Sequence, residues 1–318
     1  MKATQGTTYR MLGNRLNDIT TRLETLRKIG ASGKKLNRPS DDPASIRPVL
    51  NTRKQLSNVD RYLETMGQSM DKMEATDGHL GHVENVLVRV KELAINAANG
   101  AMDDQALQVL SEQIGHMREE LLDASNSTVD GKYIFAGYRE DTKPFTLNPA
   151  YVPGGYDPNN SATWPYVYNG DENPTSLEIA PGERLQVNIT GTDLFFGDAD
   201  NDGVVDPGRV NIFATVTNMM EAVAAGDVAR IESEMSVLDQ GAEQNRRIRS
   251  QLGSRAARVE SAMQHQEEVR IDLKQILSRY EDADAIESFN NIIQQENAFQ
   301  AALNVTAKVS QLSILDFI

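Results

Sequence analysis

The chain has 318 residues and a formal net charge of -14 at pH 7. This acidic balance argues against a general nucleic-acid binder, because such a protein needs a basic surface to neutralise phosphates. The chain has no cysteine and no apolar run near the roughly 20 residues that a bilayer span requires, which excludes disulfides, cysteine-based sites and membrane insertion.

The N-terminal segment predicts a helix from about residue 5 to 29, ended by Gly30 and Gly33. Its apolar residues follow one another in steps of three and four, the spacing that lets helices wrap around each other. These seam residues are Leu12, Leu16, Ile19, Leu23 and Leu26. The proline-rich stretch from 32 to 48 predicts an ordered loop in which Ser40 or Asp41 caps a short helical turn.

A long helix is predicted from about residue 49 to 99, again with apolar residues in heptad spacing, and Gly100 ends it. Asp103 is expected to cap the following helix, whose apolar seam runs from Leu107 to Ala124. Two long helices joined by a short glycine turn predict an antiparallel hairpin.

The character of the sequence changes at Asp130-Gly131. Most of the prolines and tyrosines and the only tryptophan lie between about 130 and 210. The candidate strands are Lys132–Ala136, Pro165–Tyr168, Ser176–Ile179 and Arg184–Ile189. The last two flank Pro181-Gly182 and predict a hairpin. We therefore expect a small β-rich domain that is inserted between helical arms and fills its core with aromatic side chains.

Helical periodicity resumes at Val210. The pattern predicts helices over 212–225, over 227–244 with Asp227 as its cap, and over about 242–280. An acidic stretch at 281–284 interrupts the helices before the last one.

The last segment, from about 284 to 318, contains neither proline nor glycine and has apolar residues close to helical spacing. Its other face carries amides, serine and threonine, with few charges. Such a face suits a helix surrounded by other helices, often from other copies, although a helix folded onto the chain's own core stays open as the alternative. The sequence predicts an assembly interface that combines the seam of the N-terminal helix with Ile286, Phe289, Ile293, Phe299, Leu303, Val309 and Leu312.

Together these elements predict a mainly α fold. The N- and C-terminal regions form a long antiparallel coiled-coil bundle, and a small β-rich domain is inserted between them. The predicted segments are an assembly helix with its loop at 1–48, helical arms at 49–129, the β-rich domain at 130–210, a helical return at 211–283 and a C-terminal assembly helix at 284–318.

One motif has the spacing of metal ligands. Residues 198–206 read DADNDGVVD, which resembles the first nine positions of an EF-hand loop with glycine at the sharp turn. The oxygen ligands for Ca²⁺ would come from Asp198, Asp200, Asp202, Val204 and Asp206. Arg209 replaces the bidentate glutamate of position 12, and the preceding TGTDLFFG reads as a strand, so a plain surface turn is the alternative. No other cofactor is expected.

Catalytic motifs are missing from the sequence. No GxSxG, HExxH, P-loop or GxGxxG stands in a supporting context, and the four histidines lie on predicted helices. We therefore expect that the protein is not an enzyme.

Four segments resemble the bacterial flagellin superfamily. They are SGKKLNRPSDDP at Ser32–Pro43, VRVKELAINAANG at Val88–Gly100, DGKYIFAG at Asp130–Gly137 and the tail ALNVTAKVSQLSILDFI. Filament flagellins tend to show alanine where Pro39 and Pro43 stand. The loop and the YIFAG segment therefore resemble the superfamily members that join the hook to the filament.

The resemblance implies a structural role in the flagellum. The protein would leave the cell through the flagellar type III channel, in line with an N-terminus that lacks a Sec signal, and act outside the cell. It would form a ring between hook-associated protein 1 and flagellin, with the terminal helices inside and the β-rich domain outside. A cytoplasmic export chaperone would first cover the C-terminal helix. The alternatives are a short filament flagellin and, from a different class, a calcium-dependent extracellular binding module.

Overall fold

The computed structural model describes residues 2–99 and 102–315, with side chains for residue 7 and for residues 10–99 and 102–308. Within this part of the chain the mainly α fold is confirmed. The helices are α1 (Lys2–Ser32), α2 (Pro43–Ala98), α3 (Asp104–Ser125), α4 (Ile212–Ala224), α5 (Val228–Glu281) and α6 (Ala285–Leu315). The strands are β1 (Thr128–Val129), β2 (Lys132–Tyr133), β3 (Phe145–Leu147), β4 (Tyr166–Tyr168), β5 (Ser176–Ala180) and β6 (Glu183–Gln186).

The chain divides into two compact units. The first, the terminal unit, combines Met1–Asp60 with Glu268–Ile318, and the second, the central unit, is Arg61–Glu267. The long helices α2 and α5 each contribute residues to both units. The five segments predicted from the sequence stay a prediction at their boundaries. None of the helices in the described residues has the length and apolar character that crossing a membrane requires.

In the terminal unit, α1 and α6 pack against each other in antiparallel order. Arg27 near the end of α1 pairs with Glu296, and Gly30 contacts Ile292, which lies earlier in α6. The helix α1 continues through Gly30 and ends at Gly33, whose φ of 68° is a conformation that glycine adopts without strain.

The start of α2 differs from the prediction. Asp42, rather than Ser40 or Asp41, caps the helix by accepting hydrogen bonds from the amides of Ala44 and Ser45. The helix therefore begins at Pro43, inside the stretch expected to be a loop. Proline is favourable in this first position because its missing N–H would have no partner there anyway. The second proline, Pro48, is also accommodated within the helix.

The β-rich region of the central unit consists of three two-stranded antiparallel sheets, β1–β2, β3–β4 and β5–β6. The hairpin of β5 and β6 around Pro181-Gly182 is confirmed, and Gly182 has a φ of 80°. The predicted strand Lys132–Ala136 is wrong beyond Tyr133, and β1 and β3 were not predicted. Runs of two or three residues are too short to show alternation.

An aromatic cluster forms the core beneath these sheets. Phe145 lies 5.2 to 5.3 Å, centroid to centroid, from Tyr168, Phe195, Phe196 and Phe213. The rings are tilted or edge-on, as their quadrupoles favour. Trp164 is also buried, at 2% exposure, so these aromatic side chains serve packing, as expected.

Two further elements correct the sequence interpretation. Residues predicted as two helices, 227–244 and 242–280, form the single helix α5, with Asp227 accepting from the amide of Arg230 as its cap. The segment read as a strand before the aspartate loop is a π-helical turn, Thr192–Phe196. Adjacent phenylalanines raise the β propensity of a segment. Here Phe195 and Phe196 belong to a single helical turn and their side chains are buried.

Candidate functional site

The first candidate site is the paired helices α1 and α6. Leu23 of the predicted N-terminal seam is 5% exposed, and the other members, Leu12, Leu16, Ile19 and Leu26, are half-buried. The seam is thus the side of α1 that is turned away from solvent, while Met11 is 57% exposed.

The predicted C-terminal seam lies differently. Ile286, Phe289 and Ile293 are 76%, 58% and 56% exposed, and Leu303 is 45% exposed. Phe299 is half-buried, and the side chains of Val309 and Leu312 lie outside the described residues. The buried side of α6 instead includes Ser288, at 8% exposure. The helix therefore presents apolar side chains to solvent, which we name the outer stripe: Ile286, Phe289 and Ile293.

Exposure of the outer stripe costs free energy in an isolated chain. Fully burying one such side chain contributes about 1.5–3 kcal/mol. Three of them within two helical turns form the kind of apolar face that marks a contact with another protein. The geometry therefore fits an assembly surface, which stays a prediction.

Sequence reasoning missed a charged cluster beside these helices. The carboxylate of Glu281, at the end of α5, has 2% side-chain exposure and accepts hydrogen bonds from Lys34 Nζ at 3.0 Å and Arg53 Nε at 2.7 Å. Both cations lie in the N-terminal part of the chain. The sequence contains only a weak signal for this cluster, because Glu281 stands in an acidic run and acidic runs are usually exposed to solvent.

The second candidate site is the aspartate loop, residues 198–206. One carboxylate oxygen from each of Asp198, Asp200 and Asp202 lies within 4.8 Å of the others, so the structure brings these three predicted ligands together. Asp206 accepts a hydrogen bond from the amide of Ala199 at 3.0 Å and has Arg209 Nε at 3.6 Å. The positive charge of Arg209 therefore disfavours Asp206 as a ligand of a metal cation.

Asp198 is the buried member of the loop. Its carboxylate accepts from the amides of Asp202 and Gly203 at 3.2 and 3.0 Å. Burial nevertheless raises the pKa of Asp198 to about 6, since desolvation outweighs these bonds. A hard cation in the loop would offset that cost, and three carboxylates suit Ca²⁺. Calcium binding stays a prediction.

Two family models match the chain. The bacterial flagellin N-terminal helical region matches residues 5–140, and the bacterial flagellin C-terminal helical region matches residues 235–318. These ranges include both helices of the terminal pair and leave out most of the β-rich region.

Known relatives match nearly the whole chain. Flagellar hook-associated protein 3 of Escherichia coli is 24% identical over 300 residues, with 89% of each chain covered. The flagellar filament 41 kDa core protein of Borreliella burgdorferi is 24% identical over 311 residues, which is 89% of this chain and 88% of that protein.

Solved structures share the fold. The flagellar hook-associated protein-3 of Legionella pneumophila has a TM-score of 0.60 at 16% identity, covering 73% of this chain and 98% of that one. The FlgL protein of Xanthomonas campestris has a TM-score of 0.57 at 16% identity, covering 71% of this chain and 99% of that one.

Proposed function

Because this chain belongs to the bacterial flagellin family and is a structural component of the flagellum, we propose that it forms the junction between the hook and the flagellin filament. The observation that carries the proposal is the pairing of α1 with α6, which leaves the outer stripe exposed on a helix that is already folded. The match to a hook-associated protein over 89% of both chains supports the junction position.

The outer stripe gives this proposal its driving force. Ile286, Phe289 and Ile293 become buried when copies of the chain stack as a ring, because each copy covers the exposed apolar side chains of its neighbour. The ring then contacts hook-associated protein 1 on one side and flagellin on the other.

The same stripe requires protection before assembly. A cytoplasmic chaperone with a complementary apolar groove would cover α6 until the chain enters the flagellar type III channel. The mature protein is then extracellular.

Deletion of the gene tests the junction role. We expect hooks without filaments and unassembled flagellin in the medium, because the filament has no surface on which to begin. Labelled protein should appear by electron microscopy at the base of each filament. Label along the whole filament would overturn the proposal.

A short filament flagellin is the second candidate, and the 24% identity to a filament core protein over 89% of the chain favours it. On that proposal the deletion leaves intact but shorter filaments, and the hooks keep their junction proteins. The same labelling separates the two, since a filament subunit occurs along the shaft.

A further inference from the structure

Two turns that lie far apart in the sequence meet in the terminal unit. The first joins α1 to α2, and the second joins α5 to α6. The amides of Lys35 and Leu36 donate to the carbonyl of Glu281 at 2.8 and 3.4 Å, and the amide of Ala283 donates to the carbonyl of Gly33 at 2.9 Å. These backbone bonds resemble a short antiparallel ladder without a sheet around it.

The side chain of Glu281 lies at the centre of this contact. Its carboxylate is nearly inaccessible, at 2% exposure, while Lys34 and Arg53 are 47% and 51% exposed. A buried carboxylate is costly unless it is paired and hydrogen-bonded, and here both oxygens are bonded to cations. The two cations stay partly hydrated. Their desolvation therefore costs little free energy and does not cancel the gain from pairing with the carboxylate.

The ion pair between Arg27 and Glu296 provides a contrast within the same unit. It joins α1 to α6 directly at 2.8 Å, but its side chains are 61% and 43% exposed. Pairs this exposed contribute little, since water and salt screen them. Glu281 is the more buried of the two carboxylates, so water and salt screen its ion pairs less.

We propose that Glu281 is a positioning residue, a latch that holds the two turns together through Lys34 and Arg53 and thereby fixes the α1–α6 pair. This inference rests on the proposed function in one respect: the pair is the element that assembles. The latch itself is a property of the isolated chain, so it can be measured without a flagellum.

Hydrogen–deuterium exchange of the full chain tests the latch with the variant Glu281→Gln. Glutamine keeps the shape but removes the charge that both cations neutralise. We expect amides in 30–36 and 285–296 to exchange at least about tenfold faster, because hydrogen bonds to charged groups are the stronger ones and local opening follows their loss. Amides in α3 and α4 should keep their wild-type rates.

Glu296→Gln is the matched control, since it removes one carboxylate from the same helix pair. We expect a change below about twofold, as for other exposed pairs. Equal effects of the two variants would overturn the latch. Faster exchange throughout α3 and α4 in Glu281→Gln would also overturn it, because the residue would then support the whole fold.

Removing the cations gives an independent readout. Lys34→Met and Arg53→Met should each speed exchange in the two turns, and adding either one to Glu281→Gln should cause little further change, because the carboxylate they serve is already gone. Fully additive effects would contradict a shared latch. If the latch passes these tests but the protein is absent from the hook–filament junction, the proposed function is refuted and the latch is not.

Discussion

Single carboxylates cap the N-termini of four helices. Asp42, Asp103, Asp227 and Asp284 each accept hydrogen bonds from first-turn amides of α2, α3, α5 and α6. Two of these caps, Asp103 and Asp227, were predicted because they directly precede periodic apolar runs. Asp42 was missed because the prolines around it indicate a loop, and local sequence does not reveal that Pro43 starts a helix.

The cap of α3 can be tested by Asp103→Ala. Its carboxylate accepts from the amide of Ala106 at 2.8 Å, so we expect the free energy of unfolding to fall by about 1 kcal/mol in urea denaturation. Asp123→Ala is the control at the other end of the helix, where a negative charge opposes the helix dipole. A similar loss in both variants would contradict the capping explanation.

Calcium binding is a second prediction at this scale. Isothermal calorimetry should detect Ca²⁺ binding to the full chain, and Asp200→Ala should abolish or strongly weaken it, because Asp200 supplies one of three clustered carboxylates. Asp141→Ala removes an exposed acid elsewhere and should leave binding unchanged. Absence of heat with the wild-type chain would remove the calcium site.

The motif predicted the three-residue cluster, but spacing alone could not reveal that Arg209 lies beside Asp206.

At the scale of elements, α5 holds the β-rich region through side chains that bond to its backbone. Gln244, which is 2% exposed, donates to the carbonyls of Leu194 and Val210 and accepts from the amide of Val210. Further along α5, Arg255 donates to Asn188 and Gln266 donates to Ile179. Helical periodicity predicted the helix, but it does not reveal these polar contacts, because the carbonyls that accept from them lie far away in the sequence.

Gln244→Leu tests this attachment. It leaves the Val210 amide and two carbonyls buried without partners, so we expect unfolding to become easier by about 2–4 kcal/mol. Gln240→Leu, at an exposed position one turn earlier on the same helix, makes the same chemical change and should alter stability by less than about 0.5 kcal/mol. Equal unfolding midpoints for Gln244→Leu and the wild type would contradict the attachment.

At the scale of the whole molecule, heptad spacing and the change of composition near Asp130 were enough to predict the mainly α fold with its β-rich insert. The orientation of α6 was not predictable, because apolar spacing marks a face without telling which neighbour covers it. The structure packs Ser288 and leaves Phe289 exposed. A sequence on its own describes one chain, and our proposal explains this face by contact with a second one.

Phe289→Asp tests that explanation. The side chain is 58% exposed, so the variant should keep the helical content and unfolding midpoint of the wild type, yet fail to join the flagellum, because a charge cannot be buried without a partner. Leu303→Asp should behave in the same way. Val152→Asp, at a site that is 67% exposed in the β-rich region, is the control and should assemble. Motile cells that carry Phe289→Asp would count against the assembly surface.

The antiparallel match of α1 with α6 also has a consequence for biosynthesis. Arg27 and Glu296 are 269 residues apart in sequence, so this contact is strongly non-local. Contacts of such separation form late, since the intervening chain must first be organised. A chain that ends before α6 therefore leaves the apolar side of α1 without the helix that covers it.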